Sequence, residues 1–161
     1  MYPIDYFIAL DDFFDKKLGD LESAIERTPK KRVGSLTIDE LCSVSAYPHG
    51  LYLLFGRENE LCYIGKATSR SFIERIPSHF DPREEAWFNT LPRRVMRTQN
   101  ISAYDAALEI GLSLQILLIG VQQPSVTPEL EKVLRTFLLP KFNARKGEFS
   151  ASALICDLFP C

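Results

Sequence analysis

Ten consecutive residues, Leu112-Ser-Leu-Gln-Ile-Leu-Leu-Ile-Gly-Val121, carry no charge. A run this apolar and this short suits a strand covered on both sides. Its natural neighbours are two shorter apolar runs, Gly50-Leu-Tyr-Leu-Leu-Phe55 and Leu61-Cys-Tyr-Ile-Gly65. Gly56-Arg-Glu-Asn-Glu60 joins them, and its glycine, asparagine and charges are hairpin-loop chemistry. The long run is therefore expected to lie centrally, beside that hairpin.

Helical patterns surround these strands. Ile4, Phe7, Ile8, Phe14, Leu18, Leu21 and Ile25 recur at intervals near three and four, which predicts an amphipathic helix over 4–25, broken near Gly19. Pro29 with Lys30-Lys31-Arg32 ends it, and Thr37-Ile-Asp-Glu40 is a capping-box pattern that opens a short helix through Leu41 and Val44. Ser71-Phe-Ile-Glu74 repeats that pattern ahead of Arg75-Ile-Pro-Ser-His79-Phe80, where Pro77 keeps any helix short. Asp81 as N-cap and Pro82 at the first helical position predict another helix, with Trp87, Phe88 and Leu91 as its buried side. Ser102–Ile110 reads as a helix stopped by Gly111. Thr127-Pro128 opens a last one, with the stripe Leu130, Val133, Leu134, Phe137 and Leu138, ended by Pro140.

This order predicts an α+β fold: a small mixed or antiparallel three-stranded sheet flanked by helices, with an N-terminal helical extension. A chain of 161 residues is the size of one domain and buries about 70% of its unfolded surface. Within it, residues 1–47 form a helical arm, 48–145 the core, and 146–161 a tail expected to pack on that core.

A hydrophobic content of 46% with 25% charged residues argues against disorder. No basic leader and no run of roughly 20 apolar residues is present, so the expectation is a soluble, cytoplasmic protein with no membrane partner. Cys42, Cys62, Cys156 and Cys161 form neither a CxxC pair nor a zinc-finger spacing, which points to reduced thiols. The net charge of −2 argues against coating nucleic acid by bulk charge. Basic residues nevertheless cluster at Lys30-Lys31-Arg32, at Arg93-Arg94 with Arg97, and at Lys141, Arg145 and Lys146. Those clusters gain meaning only if the fold brings them to one side.

Each hairpin run carries one tyrosine. If Tyr52 pairs with Tyr63, both rings share a face with Leu54 and Leu61, and Leu51, Leu53, Phe55, Cys62 and Ile64 share the other. A register shifted by one would separate them. Read alone, the two tyrosines are core aromatics. Glu131, read alone, is a helical glutamate paired with Arg135 at i+4.

Together, Gly50-Leu51-Tyr52 and Tyr63-Ile64-Gly65 resemble the signature of the GIY-YIG nuclease superfamily. Further matches follow in the family's order. Lys66 directly succeeds Tyr-Ile-Gly, and Arg75, His79 and Phe80 resemble the helix after the hairpin, where an arginine precedes an aromatic by five positions. Glu131 resembles the family's helical metal-binding glutamate, and Pro140-Lys-Phe-Asn143 its closing Pro-x-aromatic-Asn. The resemblance covers residues 48–145 and departs from the pattern in three places. Arg75 lies two residues further from Gly65 than in the family, Pro77 interrupts the supposed helix, and the segment from Asp81 to Gly111 is longer than in compact relatives. Arg70 therefore competes with Arg75 for the catalytic arginine.

The resemblance implies a metal-dependent endonuclease that hydrolyses phosphodiester bonds in DNA. Glu131 would hold Mg²⁺, with Mn²⁺ as an alternative, and Arg75 would present its fork to the phosphate. Tyr52 would be the general base, Tyr63 its partner in positioning the water or Lys66, and Lys66 the cation that favours the phenolate. His79 would touch phosphate or assist proton transfer, against a purely structural role. Asn143 would orient groups near the metal, against a loop-capping role after Pro140. Glu109 and Glu129 are competing acids at the wrong distance from Asn143, and His49 belongs to no motif. Two rival readings stand beside the nuclease: a non-catalytic module that binds nucleic acid or protein, and a nuclease subunit activated by a protein docking on residues 4–25.

Overall fold

The computed structural model describes residues 4–143. Arg145, Lys146, Cys156, Cys161 and the tail expected over 146–161 lie outside the described residues. Five strands, β1 (Phe7–Ala9), β2 (Lys31–Arg32), β3 (His49–Phe55), β4 (Leu61–Ala67) and β5 (Gln115–Val121), form one mixed sheet. Its order is β1-β5-β3-β4, and β2 also pairs with β5. The apolar run thus does lie centrally, antiparallel to β3 along one edge. Its other edge is shared end to end, with β2 beside Gln115 and Ile116 and β1 parallel to Leu118–Gly120.

The three strands expected from the sequence are β4, β3 and β5. The other two come from the N-terminal segment, which is not one helix. Tyr6-Phe-Ile-Ala-Leu10 is a contiguous apolar run, buried throughout, in which Phe7 and Ala9 enter one core and Ile8 and Leu10 the other. That is strand alternation with both faces covered. Only Leu18–Arg27 becomes helical (α1), and it buries Leu21 and Ile25. Residues 4–25 therefore spend most of their apolar surface inside this fold. Phe14, 47% exposed, is the one large apolar side chain of the segment left outside among the described residues.

Five further helices complete the layers: α2 (Ile38–Ser43), α3 (Phe72–Arg75), α4 (Thr90–Gln99), α5 (Tyr104–Ser113) and α6 (Thr127–Leu138). α1 and α6 cover the sheet face that carries Leu51, Leu53, Ile64, Leu117 and Ile119. α2, α3, α4 and α5 cover the face that carries Tyr52, Leu54, Tyr63, Ile116 and Leu118. Both predicted capping boxes form. Thr37 N–H donates to Glu40 Oε2 at 2.9 Å, and Ser71 N–H donates to Glu74 Oε2 at 2.8 Å. α5 runs past Gly111 to Ser113, and α6 begins at Thr127 with Val126 in the cap position instead of Thr127. No helix of the described residues is long and apolar enough to cross a membrane.

The hairpin register is offset from direct tyrosine pairing. Tyr52 faces Gly65 and Leu54 faces Tyr63, so the tyrosines are displaced by two residues. A shift of two preserves the face, so both rings still point the same way. A bulge follows, because Phe55 pairs with Leu61 and Cys62 is the extra residue. Cys62 consequently joins the tyrosine face and Leu61 packs with the opposite core, the reverse of the expected assignment.

The segment from Asp81 also departs from expectation. The Asp81 carboxylate accepts from Arg83 N–H at 3.0 Å and from its guanidinium at 2.9 and 2.7 Å, which closes a turn; helix resumes only at Thr90. Leu91 is buried as expected. Trp87 is 84% exposed and Phe88 is exposed as well, because neither lies on a helix that could turn it inward.

Candidate active site

α3 is one turn long, and Pro77 follows it at the first position of a 3-10 turn spanning Pro77–Phe80. A proline is tolerated there because the first N–H of a turn needs no partner within it. The turn drops His79 into the tyrosine face of the sheet, where it is buried. Its Nε2 is hydrogen-bonded to Tyr52 Oη, and its Nδ1 to Thr90 Oγ1 at 3.1 Å. The three rings of Tyr52, Tyr63 and His79 lie mutually within 5.6 to 6.1 Å, centroid to centroid. Tyr52 reaches this position by lying across Gly65, the residue opposite it. A Cβ at Gly65 would overlap Tyr52 Cζ and Oη. Gly50 is constrained as well, since its φ of +144° and the proximity of the Ile119 carbonyl leave no room for a side chain.

Burial dominates the electrostatics here. Tyr52, 1% exposed, has its hydroxyl pushed well above the ordinary tyrosine value, first by desolvation and then by the Tyr63 hydroxyl. The Arg75 guanidinium opposes that shift. Lys66 does not take the role expected of it, since the cation beside Tyr52 is Arg75. Burial likewise lowers the His79 imidazole to about 3, and Arg75 and Arg94 add to the effect. At neutral pH Tyr52 is a phenol and His79 an uncharged ring, with one nitrogen donating and the other accepting.

A pH dependence of stability follows. His79 is neutral in the fold and takes up a proton readily once unfolded, near its ordinary 6.5. The unfolded state then binds more protons between pH 6.5 and about 3, so stability is complete above 6.5 and falls as pH drops through that window. One proton corresponds to about 1.4 kcal/mol per pH unit. Urea midpoints measured from pH 7 to 4 are expected to show this slope, and His79→Asn to reduce it. An equal slope in the variant would remove His79 as its source.

Lys66 and Glu131 meet on the other face of the sheet. Lys66 pairs with Leu51, and its Nζ lies 2.8 Å from Glu131 Oε2. Arg135 Nη1 lies 3.7 Å from Glu131 Oε1, the i+4 pairing read from the helix. Arg135 also donates to the Asn143 carbonyl at 2.9 Å. The Asn143 side chain serves the open edge of β4: Oδ1 accepts from Ile64 N–H at 2.7 Å, and Nδ2 donates to Ile64 C=O at 2.8 Å. Lys141 and Phe142 N–H bond the Leu61 and Cys62 carbonyls at 3.2 and 2.7 Å. Residues 141–143 thus close an edge that would otherwise be unpaired. Asn143 acts on the β4 backbone, which is the structural alternative to orienting groups at a metal.

Two clusters therefore stand back to back across β4. Tyr52, Tyr63, Arg75 and His79 form one, and Lys66, Glu131 and Arg135 the other. They are joined through the closing segment, because Arg94 donates to the Phe142 carbonyl at 3.4 Å while Arg135 holds the next carbonyl. Arg94 also lies 5.4 Å over the Tyr63 ring. Arg70 is engaged elsewhere, stacked 3.8 Å over Phe88. Glu109 and Glu129 are exposed on α5 and α6. Arg94 and Thr90 belong to the site although neither was identified as part of it from the sequence. The Arg93-Arg94-Arg97 cluster was the available signal for the first, and nothing local signals the second.

Among the described residues no group of three or more His, Cys, Asp or Glu side chains could hold a metal ion together. Glu131 alone offers hard oxygens, which suits an ion such as Mg²⁺ that keeps most of its own waters. Its Oε2 partner, the 43%-exposed Lys66 side chain, has solvent into which it can withdraw. Compared with known proteins, the chain matches no family model and no curated protein.

Proposed function

We propose that this chain is a metal-dependent endonuclease of the GIY-YIG type, hydrolysing phosphodiester bonds in DNA. The observation that carries this reading is the assembly of Tyr52, Tyr63, His79 and Arg75 from separate stretches into one cluster. Core packing explains two tyrosines on a sheet face, but it does not call for an imidazole bonded to one of them with two arginines alongside.

Arg75 and Arg94 supply the positive charge for a phosphodiester, Arg75 as a two-pronged donor. The arriving phosphate brings a negative charge beside Arg75 and Arg94, which add to burial in holding His79 uncharged, so binding offsets their part of the effect and makes the imidazole more basic. Tyr52 can then take the proton of an attacking water at Oη while passing its own to His79 Nε2, along the hydrogen bond that joins them. This relay replaces the simple phenolate base, which burial disfavours. Thr90 keeps the ring oriented through Nδ1. Glu131 would hold Mg²⁺ and so supply a cation for the non-bridging and leaving oxygens, but it stands across β4 from the Tyr52 cluster, so the scissile phosphate would have to reach both faces.

The test is incubation of the purified chain with branched, nicked, linear and single-stranded DNA plus Mg²⁺ or Mn²⁺. Cleavage is expected, reduced about a hundredfold or more in Glu131→Ala. No cleavage of any substrate, or equal cleavage by Glu131→Ala, ends the nuclease reading. A second reading, a non-catalytic module that binds nucleic acid, is favoured by the burial of Tyr52 and by the ion pairs on both Glu131 oxygens. DNA binding that persists without metal and without turnover would select it.

A further inference from the structure

Trp87 is the single tryptophan of the chain and the most exposed of its large apolar side chains among the described residues, at 84%. Burying an aromatic of this size contributes about 2–3 kcal/mol, so a fold gains by covering it. Here the surrounding segment is built to hold it out. Asn89, fully buried, donates through Nδ2 to the Arg83 and Glu84 carbonyls, both at 2.9 Å, and to Tyr104 Oη at 2.8 Å. Tyr104 Oη in turn donates to the Asp81 carbonyl at 2.7 Å. Residues 81–89 are thereby tied down at their base while the tip carries the indole into solvent.

The two feet of this segment stand at the candidate active site. It leaves the chain at Phe80, next to His79, and returns at Thr90, whose hydroxyl bonds His79. Phe88, beside the indole, is covered by the Arg70 guanidinium at 3.8 Å. Glu85 lines two adjoining hollows, one walled by Trp87 and Phe88 and the other by Arg93, Arg94 and Arg97. Asp81 and Arg83 cancel as an ion pair. What remains around the arginine hollow is three arginines against Glu84 and Glu85, with Arg70 added beside Phe88.

An exposed indole on one hollow, with three arginines lining the hollow that adjoins it at Glu85, is the pairing that holds a nucleic-acid strand, with a base on the ring and phosphates on the guanidinium groups. A base inside an intact duplex offers no free face to such a ring. We propose that Trp87 is a stacking platform for an unpaired nucleobase, so that the substrates of this protein are single-stranded or flapped DNA in preference to continuous duplex. The proposal rests on the nuclease reading for the identity of the bond cut near the platform, but the stacking is a binding event measurable without cleavage.

Because Trp87 is the only tryptophan, its fluorescence reports on this site alone. The full chain is titrated in metal-free buffer with a single-stranded oligonucleotide, a flapped duplex, and a continuous blunt duplex of the same sequence. The expected result is strong quenching by the first two and little by the third. Affinity for the single strand, read in parent and variants by the anisotropy of a dye-labelled oligonucleotide, should fall about tenfold in Trp87→Ala, largely return in Trp87→Phe, and melting temperature should stay unchanged in both. Equal quenching by the continuous duplex, absence of quenching, or a Trp87→Ala affinity within about twofold of the parent would each overturn the platform. The two readings fail separately. Quenching without cleavage in Mg²⁺ supports the platform and removes the nuclease, whereas cleavage without quenching keeps the nuclease and removes the platform.

Discussion

Arg75→Ala is expected to lower phosphodiester cleavage about 10²- to 10³-fold, the cost of removing one preorganised donor from a developing oxyanion. The side chain is half-buried at the end of α3, and its charge acts on both Tyr52 and His79. Arg75→Lys would restore the charge without the fork and is expected to recover only part of the loss. Arg70→Ala provides the contrast. That guanidinium lies on Phe88, so its loss should cost only a few-fold, through weaker substrate binding. Single-turnover rates at saturating DNA separate the two, since Arg75 should lower the rate and Arg70 the affinity. If Arg70→Ala proved the more damaging to rate, the catalytic arginine would be reassigned and the hairpin reading would stand. Arg75→Ala should also relieve His79 of one of the charges that lower its pKa, raising the lower edge of the acid-sensitive window and shrinking the stability lost across it.

Gly65→Ala should strongly destabilise the hairpin. The added Cβ would overlap the Tyr52 ring, and neither side can easily give way. The ring is tied to His79 through its hydroxyl, and β4 is held by the β3 ladder on one edge and by residues 141–143 on the other. Overpacking a close-packed interior costs about 1–3 kcal/mol and sometimes more, and the upper end applies where backbone and a pinned ring collide. Thermal melting should fall by roughly 6–12 °C for about 3 kcal/mol in a chain of this size. Gly19→Ala is the control, because nothing lies within 4 Å of its Cβ and it sits in α1. There the methyl should stabilise by about 0.5–1 kcal/mol through helix propensity and a less free unfolded chain. A Gly65→Ala protein that melts like the parent would mean that Tyr52 does not cross Gly65.

Much of this architecture could be read directly from residues close in the chain. The capping boxes at Thr37 and Ser71, the strand at β5, the stripe of α6 apart from Phe137, which is 43% exposed, and the stop at Pro140 all depend on interactions within a few positions. The common face of Tyr52 and Tyr63 was legible too, because any even offset between paired strands preserves it. The N-terminal strand was missed for a definite reason: Ile4, Phe7 and Ile8 satisfy a helical interval, and only the exposed side of β5 decides that Phe7–Ala9 pair instead. Trp87 was misread because an apolar residue after a proline cap looks like a buried helical face, whereas the Asp81–Arg83 pairing ends that helix before it begins.

Periodicity and capping, which act over a turn or two, were enough to mark the hairpin, β5, α2, α5 and α6 as strand or helix, but not β1 or the segment after Asp81. Tertiary structure decided the rest of the site. Tyr52 lies over Gly65 because the register is offset by two, His79 reaches it because Pro77 breaks α3, and Asn143 bonds Ile64 across 79 positions because β4 is left with an open edge. Lys66 turned to Glu131 and Arg75 to Tyr52 by the alternation of faces along one strand and the packing of helices from opposite sides, contacts that no local pattern specifies.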